Sequence, residues 1–209
     1  MTDTPTASPA QRRLFGLLLI LLLLAQIDQP YPEIALLQHI PTMLLIVAGP
    51  LLLRRWPLST PALACIVAFF AIHTLGGRYA YSSVPYDDWA RVLTGTSLSD
   101  AFGWQRNHYD RLAHFAFGAL SVVPVAEIAR RWGGLGRRGA AFTVLGWVLA
   151  ISCLYEIFEW LLTIVAAGET ADRYNGQQGD IWDAQKDMAL AVLGALMILV
   201  AQTATRGRR

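Results

Sequence analysis

The chain has 209 residues, 55% of them hydrophobic and 15% charged, with a formal net charge of +2 and a positive mean hydropathy. That balance excludes an ordinary water-soluble domain and a nucleic-acid binder held by positive charge. It points to one membrane domain over 1–209.

A spanning helix needs roughly 20 apolar residues, so each apolar run can be tested by length. Six runs qualify, at 14–27, 34–53, 59–75, 110–128, 140–166 and 181–202, which predicts an all-α polytopic bundle of about six transmembrane helices. The first, Leu14 to Ile27, follows Arg12-Arg13 as the start of a secretory signal would. No small-x-small site follows Ala25, so a retained helix is expected, with 1–13 as a tail before it. The second contains Pro41 and Pro50, and Pro41 predicts a kink near its outer third. After the third comes the longest polar stretch, 76–109, expected as an outward loop. Within it, Asp87-Asp88-Trp89 ahead of Val92-Leu93 predicts a short helix at the membrane surface. Cys65 and Cys153 sit inside apolar runs and read as small buried hydrophobes, not as a disulfide framework.

Orientation follows from the arginines, because basic residues in short loops stay in the cytoplasm. Arg12, Arg13, Arg54, Arg55, Arg130, Arg131, Arg137, Arg138, Arg206, Arg208 and Arg209 fall on one side, eleven of the seventeen basic residues. The acids do the opposite: apart from Asp3 and Glu127, all lie in outer loops or outer helix halves. Both termini are therefore expected in the cytoplasm of a bacterial inner membrane.

Ionisable side chains inside a bilayer cost roughly 2.5 to 3.5 kcal/mol each, so several together require an explanation. The third run ends with His73, the fourth opens with Asp110 and His114, the fifth carries Glu156 and Glu159, and the sixth opens with Asp180, Asp183 and Asp187. Residues three, four or seven apart share a helix face. At about 1.5 Å per residue, His73, His114, Glu159 and Asp187 lie roughly 5 to 15 Å below the outer surface. Such a layer is stable only if its members face one another, a metal or water. Asp180 doubles as a helix cap and Asp110 as a first-turn acid, and Glu127 can reach back toward Arg130 and Arg131. Four outward guanidiniums, Arg78, Arg106, Arg111 and Arg173, are candidates to neutralise the acids or to bind the phosphate of a lipid headgroup.

The strings His73-Thr74-Leu75-Gly76, Arg106-Asn107-His108-Tyr109-Asp110-Arg111-Leu112-Ala113-His114-Phe115, Tyr155-Glu156-Ile157-Phe158-Glu159-Trp160 and Gln178-Gly179-Asp180-Ile181-Trp182-Asp183-Ala184-Gln185-Lys186-Asp187-Met188 resemble the YjdF-like family of bacterial inner-membrane proteins. The resemblance implies location and topology, since that family has no established activity. More distantly, Asp110-x-x-x-His114, the glutamates of the fifth run and the acid-rich start of the sixth before Leu193-Gly194 are similar to the VanZ-like membrane family. That family has an acid and an asparagine four apart where this chain has Asp183 and Asp187; the likeness implies a role in the cell envelope.

Three functions fit these residues. In the first, a divalent metal ion is held by His73 and His114 with Asp110, Asp183 or Asp187, and Glu156 or Glu159 is the general base acting on a lipid or lipid-linked envelope substrate. Mg or Mn suit the carboxylate excess, so the ion is not fixed. In the second, the same groups carry an ion or protons in a transporter. In the third, they form a structural polar network without catalysis. The lipid bilayer is the one partner common to all three; no nucleic acid is expected, and the sequence does not fix an oligomeric state.

Overall fold

A computed structural model describes residues 7–165 and 176–206. Asp3, Arg173, Arg208 and Arg209, and the end of the fifth run at 166, lie outside the described residues. Eight helices are present among the described residues: α1 (Pro9–Ala25), α2 (Pro32–Arg55), α3 (Thr60–Arg78), α4 (Tyr86–Thr94), α5 (Leu98–Phe102), α6 (Tyr109–Arg131), α7 (Arg137–Val165) and α8 (Asp183–Arg206). Five of them, α2, α3, α6, α7 and α8, are long and apolar enough to cross a membrane. The 17 residues of α1 span about 25 Å, somewhat short of a full crossing.

Helices α1, α3 and α5 begin where a serine side chain accepts from a free N–H group. Ser8 and Gln11 form a reciprocal capping box at α1, with bonds of 3.2 and 2.9 Å. Helix α1 therefore starts five residues earlier than its apolar run. Ser59 caps α3 and is itself held by Glu127, whose carboxylate accepts from the Ser59 amide at 2.7 Å and from its hydroxyl at 2.5 Å. Glu127 also pairs with Arg131 at 3.0 Å, so it ties the end of α6 to the start of α3. Helix α2 runs through both Pro41 and Pro50 to Arg55. At the other end of the chain, Ile181 and Trp182 precede α8, because Asp180 accepts from the Trp182 amide at 3.1 Å and the helix starts two residues later than its expected run.

Helix α6 is central, packing on α3, α7 and α8, while α1 and α2 pack on α3. Helices α6 and α8 run parallel and in register: Arg111 meets Asp183, Gly118 meets Ala191, and Val122 clusters with Ala195. Small residues allow this. A Cβ on Gly194 would stand 2.2 Å from the Phe115 carbonyl oxygen, so the two backbones touch with no side chain between them. Large apolar side chains such as Leu44, Val47, Phe142 and Val200 cover the outside of the bundle. That surface suits hydrocarbon and not water. Cys153 lies on it, exposed, and Cys65 is half-buried; both are free, and Cys153 departs from the burial its apolar run suggested because its helix turns that face outward.

Candidate functional site

Register brings the chemistry together. Because α6 and α8 start at the same level, Asp110 and His114 of α6 stand against Asp183 and Asp187, each pair four residues apart on its helix. Asp110, His114 and Asp187 are buried and offer ligand atoms that all lie within 4.8 Å of one another. His114 Nε2 is 3.8 Å from Asp110 Oδ1 and 3.4 Å from Glu156 Oε1 of α7. Asp187 is 1% exposed, and its Oδ1, like Glu156 Oε1, has no hydrogen-bond partner among the described residues. Buried carboxylate oxygens are seldom left so, and when they are, an ion, a water or a proton normally completes them. Glu159 is also buried, one turn toward the outer end of α7 from Glu156 and within electrostatic range of Asp110, Glu156 and Asp187.

A second group stands just beyond it. Arg106 Nη1 reaches Asp183 at 2.5 Å and Asp180 at 3.5 Å, and Arg111 pairs with both acids. Lys186 adds a 2.6 Å contact to Asp180. The Lys186 ammonium, the Trp182 amide and Arg111 hold the Asp180 carboxyl down at about 2. Asn107 and Gln178 exchange two hydrogen bonds, of 2.8 and 3.0 Å, and Arg106 donates to the carbonyls of Gly176 and Gln177. The segments before α6 and before α8 are thus stitched across the cluster. His108, at the end of the first segment, has its pKa lowered by burial and by the charges of Arg111 and Arg106.

The expected site residues divide accordingly. Asp110, His114, Asp187 and Glu156 converge, with Glu159 close by. Asp183 is drawn to the two arginines, so its carboxylate faces guanidinium instead of the metal-type group. His73 lines the same cavity as Asp110 and His114, but both ring nitrogens are engaged: Nε2 donates to the Gln38 carbonyl at 2.9 Å, and Nδ1 accepts from the Tyr81 hydroxyl. Arg78 stands apart. Its guanidinium donates to the carbonyls of Ala25 and Ile27 at 2.9 and 2.6 Å, closing the C-terminal end of α1.

Sequence reasoning missed the polar seam between α1, α2 and α3. There His39 donates to the Thr74 carbonyl at 3.2 Å and accepts from Gln26 at 3.0 Å, and Thr42 meets Thr74 at 3.1 Å. Gln38 and His39 inside an otherwise apolar run were the available signal. Tyr81, one of several aromatics that suit an interfacial belt or a binding pocket, was not expected to pair with His73. It reaches His73 because Ala80 and Tyr81 adopt left-handed backbone (φ 50° and 52°) and because Gly76 leaves room for the ring; a Cβ there would lie 2.7 Å from it.

These features define a polytopic membrane protein with a buried carboxylate and histidine site near one end of its bundle, opposite the ends that carry Arg54, Arg55, Arg130, Arg131, Arg137 and Arg138. Comparison with known sequences places it further. The chain belongs to the family described as "Predicted membrane protein (DUF2238)", whose profile matches residues 10–208. It is 40% identical over 151 residues to "Inner membrane protein YjdF" of Escherichia coli (strain K12), a match covering 70% of this chain. The chain spans 66% of that relative's length, just under two thirds. No solved structure matches significantly.

Proposed function

We propose that this inner-membrane protein is a metal-dependent enzyme acting on a lipid or other envelope substrate at the end of the bundle opposite the arginine-rich one. The observation that carries this is the convergence of Asp110, His114 and Asp187, buried and with ligand atoms within 4.8 Å, where Asp187 Oδ1 and the neighbouring Glu156 Oε1 have no hydrogen-bond partner among the described residues. Charge supports it. Among the described residues, the permanent cations paired with the group of Asp110, Glu156, Glu159, Asp180, Asp183 and Asp187 are Arg106, Arg111 and Lys186. A divalent ion would offset most of the remaining negative charge, which low-dielectric surroundings would otherwise penalise heavily.

Asp110, His114 and Asp187 would hold the ion, and mixed oxygen and nitrogen ligands fit Zn, Mn or Mg. An ion so held would supply a bound water more acidic than bulk water and a positive centre for a polarised oxygen. Glu156, 3.4 Å from His114, is placed to accept a proton, and Glu159 lies within electrostatic range as a second carboxylate. Arg106 and Arg111, now held by Asp180 and Asp183, stand where an anionic headgroup would exchange for those carboxylates.

A transport role has less support. The inner half of the α6, α7 and α8 interface is filled by the apolar side chains of Val122, Val125, Val144, Val148, Ala191 and Ala195.

Metal content of the purified full chain tests the proposal. One ion per chain is expected in the wild type, lost in His114→Ala and Asp187→Asn. A folded, monodisperse wild type that takes up none of Zn, Mn or Mg overturns it.

A further inference from the structure

Helices α3 and α7 both pack on α6 but have no packed interface with each other among the described residues. Between them, with α6 as its back wall, lies a cavity of about 150 Å³ lined chiefly by apolar surface. It is not sealed: Pro41 is exposed, and Phe69, Phe70, Phe117 and Ile151 on its walls are half-buried. All these residues belong to spanning helices, so the opening faces hydrocarbon at the depth of the bilayer. Toward the acidic end the window is closed, where Leu162 of α7 packs against Ile34 and Ala80.

The walls change character along their length. On α6, Asp110 and His114 lie toward the acidic end, with Phe117 deeper. His73 on α3 is followed inward by Phe70 and Phe69, and Tyr155 and Ser152 on α7 by Ile151. Three helices thus set polar groups at one end of the cavity and apolar ones at the other, with the same polarity as a lipid lying in the leaflet at that end. An apolar space of about 150 Å³ accepts a benzene-sized hydrocarbon, and the inner, phenylalanine-lined end of this cavity presents that kind of surface.

We infer that this window between α3 and α7 is a lateral site for the acyl chain of a bilayer phospholipid, which enters from the membrane and leaves its polar end against Asp110 and His114. As the substrate class of the reaction proposed above, the inference rests on that reading; as a binding site, it is tested without it. Hydrocarbon in the window replaces an open apolar surface, and the polar end meets groups that lipid elsewhere cannot partner.

The test uses the full chain reconstituted in phosphatidylethanolamine and phosphatidylglycerol vesicles with a trace of phosphatidylglycerol carrying a diazirine in its acyl chain. After irradiation, labelled positions are mapped by peptide mass. Phe117, Phe69 and Ile151 should be labelled well above Phe142 and Val47, which face bulk lipid on the bundle exterior. Ser152→Trp, filling the window, should lower labelling at Phe117 about tenfold and leave Phe142 unchanged. Ile151→Trp, at a half-buried position, serves if Ser152→Trp does not fold. Labelling at Phe117 no higher than at Phe142, or unaffected by a folded tryptophan variant, overturns the inference; so does labelling by a photoreactive polyprenyl phosphate in place of the acyl probe. Metal content measured on the same samples separates the two readings, since labelling without metal removes the enzyme proposal alone, and metal without labelling removes the lipid site alone.

Discussion

A Cβ placed on Gly118 would lie 1.7 Å from the carbonyl oxygen of Ala191, so α6 and α8 approach as closely as two backbones can. This contact lies one turn below His114 and Asp187 and sets the distance between them. Gly118→Ala must therefore push the helices apart. The expected cost is about 1–3 kcal/mol of stability, accompanied by weaker metal binding. Thermal unfolding in detergent and metal titration check both; a variant that unfolds like the wild type would show that the helices can separate freely.

Breaking the buried pair between Arg106 and Asp183 should be costly. With Arg106→Ala, the Asp183 carboxylate loses its 2.5 Å partner and keeps Arg111 at 3.4 Å, so the cost should fall below the figure of about 3–5 kcal/mol for a buried charge left with no partner. The double variant Arg106→Ala with Asp183→Asn should recover part of the loss, because the buried carboxylate left with only its more distant partner is gone and Arg111 keeps Asp180. Chemical unfolding of the three proteins measures it.

Acid should loosen the same network at a defined pH. Asp180 is held at about 2 by Lys186, the Trp182 amide and Arg111, against about 3.9 in an unfolded chain. As pH falls between those values the unfolded chain takes the proton first. The stabilisation is therefore complete above the unfolded value, is lost progressively across the window and is gone below about 2. Asp180→Asn should remove this part of the acid-induced decline, as read by unfolding midpoints of the two proteins across that range.

The carboxylates are expected to differ in role. Asp187→Asn should abolish metal binding, whereas Glu156→Gln should leave stoichiometry near one ion per chain and act only on the chemistry. Added metal should raise the unfolding midpoint of the wild type in a concentration-dependent way and leave that of Asp187→Asn unmoved. Elemental analysis and thermal scans give both answers; equal metal loss in the two variants would make Glu156 a ligand.

Tyr81→Phe should remove the hydroxyl that His73 Nδ1 accepts from, leaving a buried acceptor without its partner at a cost of about 1–3 kcal/mol. His73 would then be free to turn toward the cavity, and a gain in metal affinity in Tyr81→Phe would mark it as a latent ligand.

The spans and the polar layer were legible because hydrocarbon imposes rules on composition that water does not: Glu156 and Glu159 stand out in an apolar run whatever their neighbours. Spacing along α6 and α8 predicted shared faces, and it was the glycine contact between those helices that turned two faces into one group. What the sequence could not give was competition. His73 and Asp183 have the same chemistry as His114 and Asp187, and only the positions of Tyr81, Gln38, Arg106 and Arg111 decide that the first two are engaged. Arg78 illustrates the same point, being drawn to the open carbonyls at the end of α1 from 51 to 53 residues away in sequence.

The packed valines and alanines beneath the cluster, Val122, Val144, Val148, Ala191 and Ala195, have a bioenergetic consequence. In the proposed enzyme they would confine proton exchange of the acids to the end of the bundle opposite Arg54 and Arg130. Protons taken up and released during the proposed turnover would return to the side they came from, so the chemistry would neither draw on the protonmotive force nor dissipate it. Its rate would follow the acidity on that one side and ignore the other.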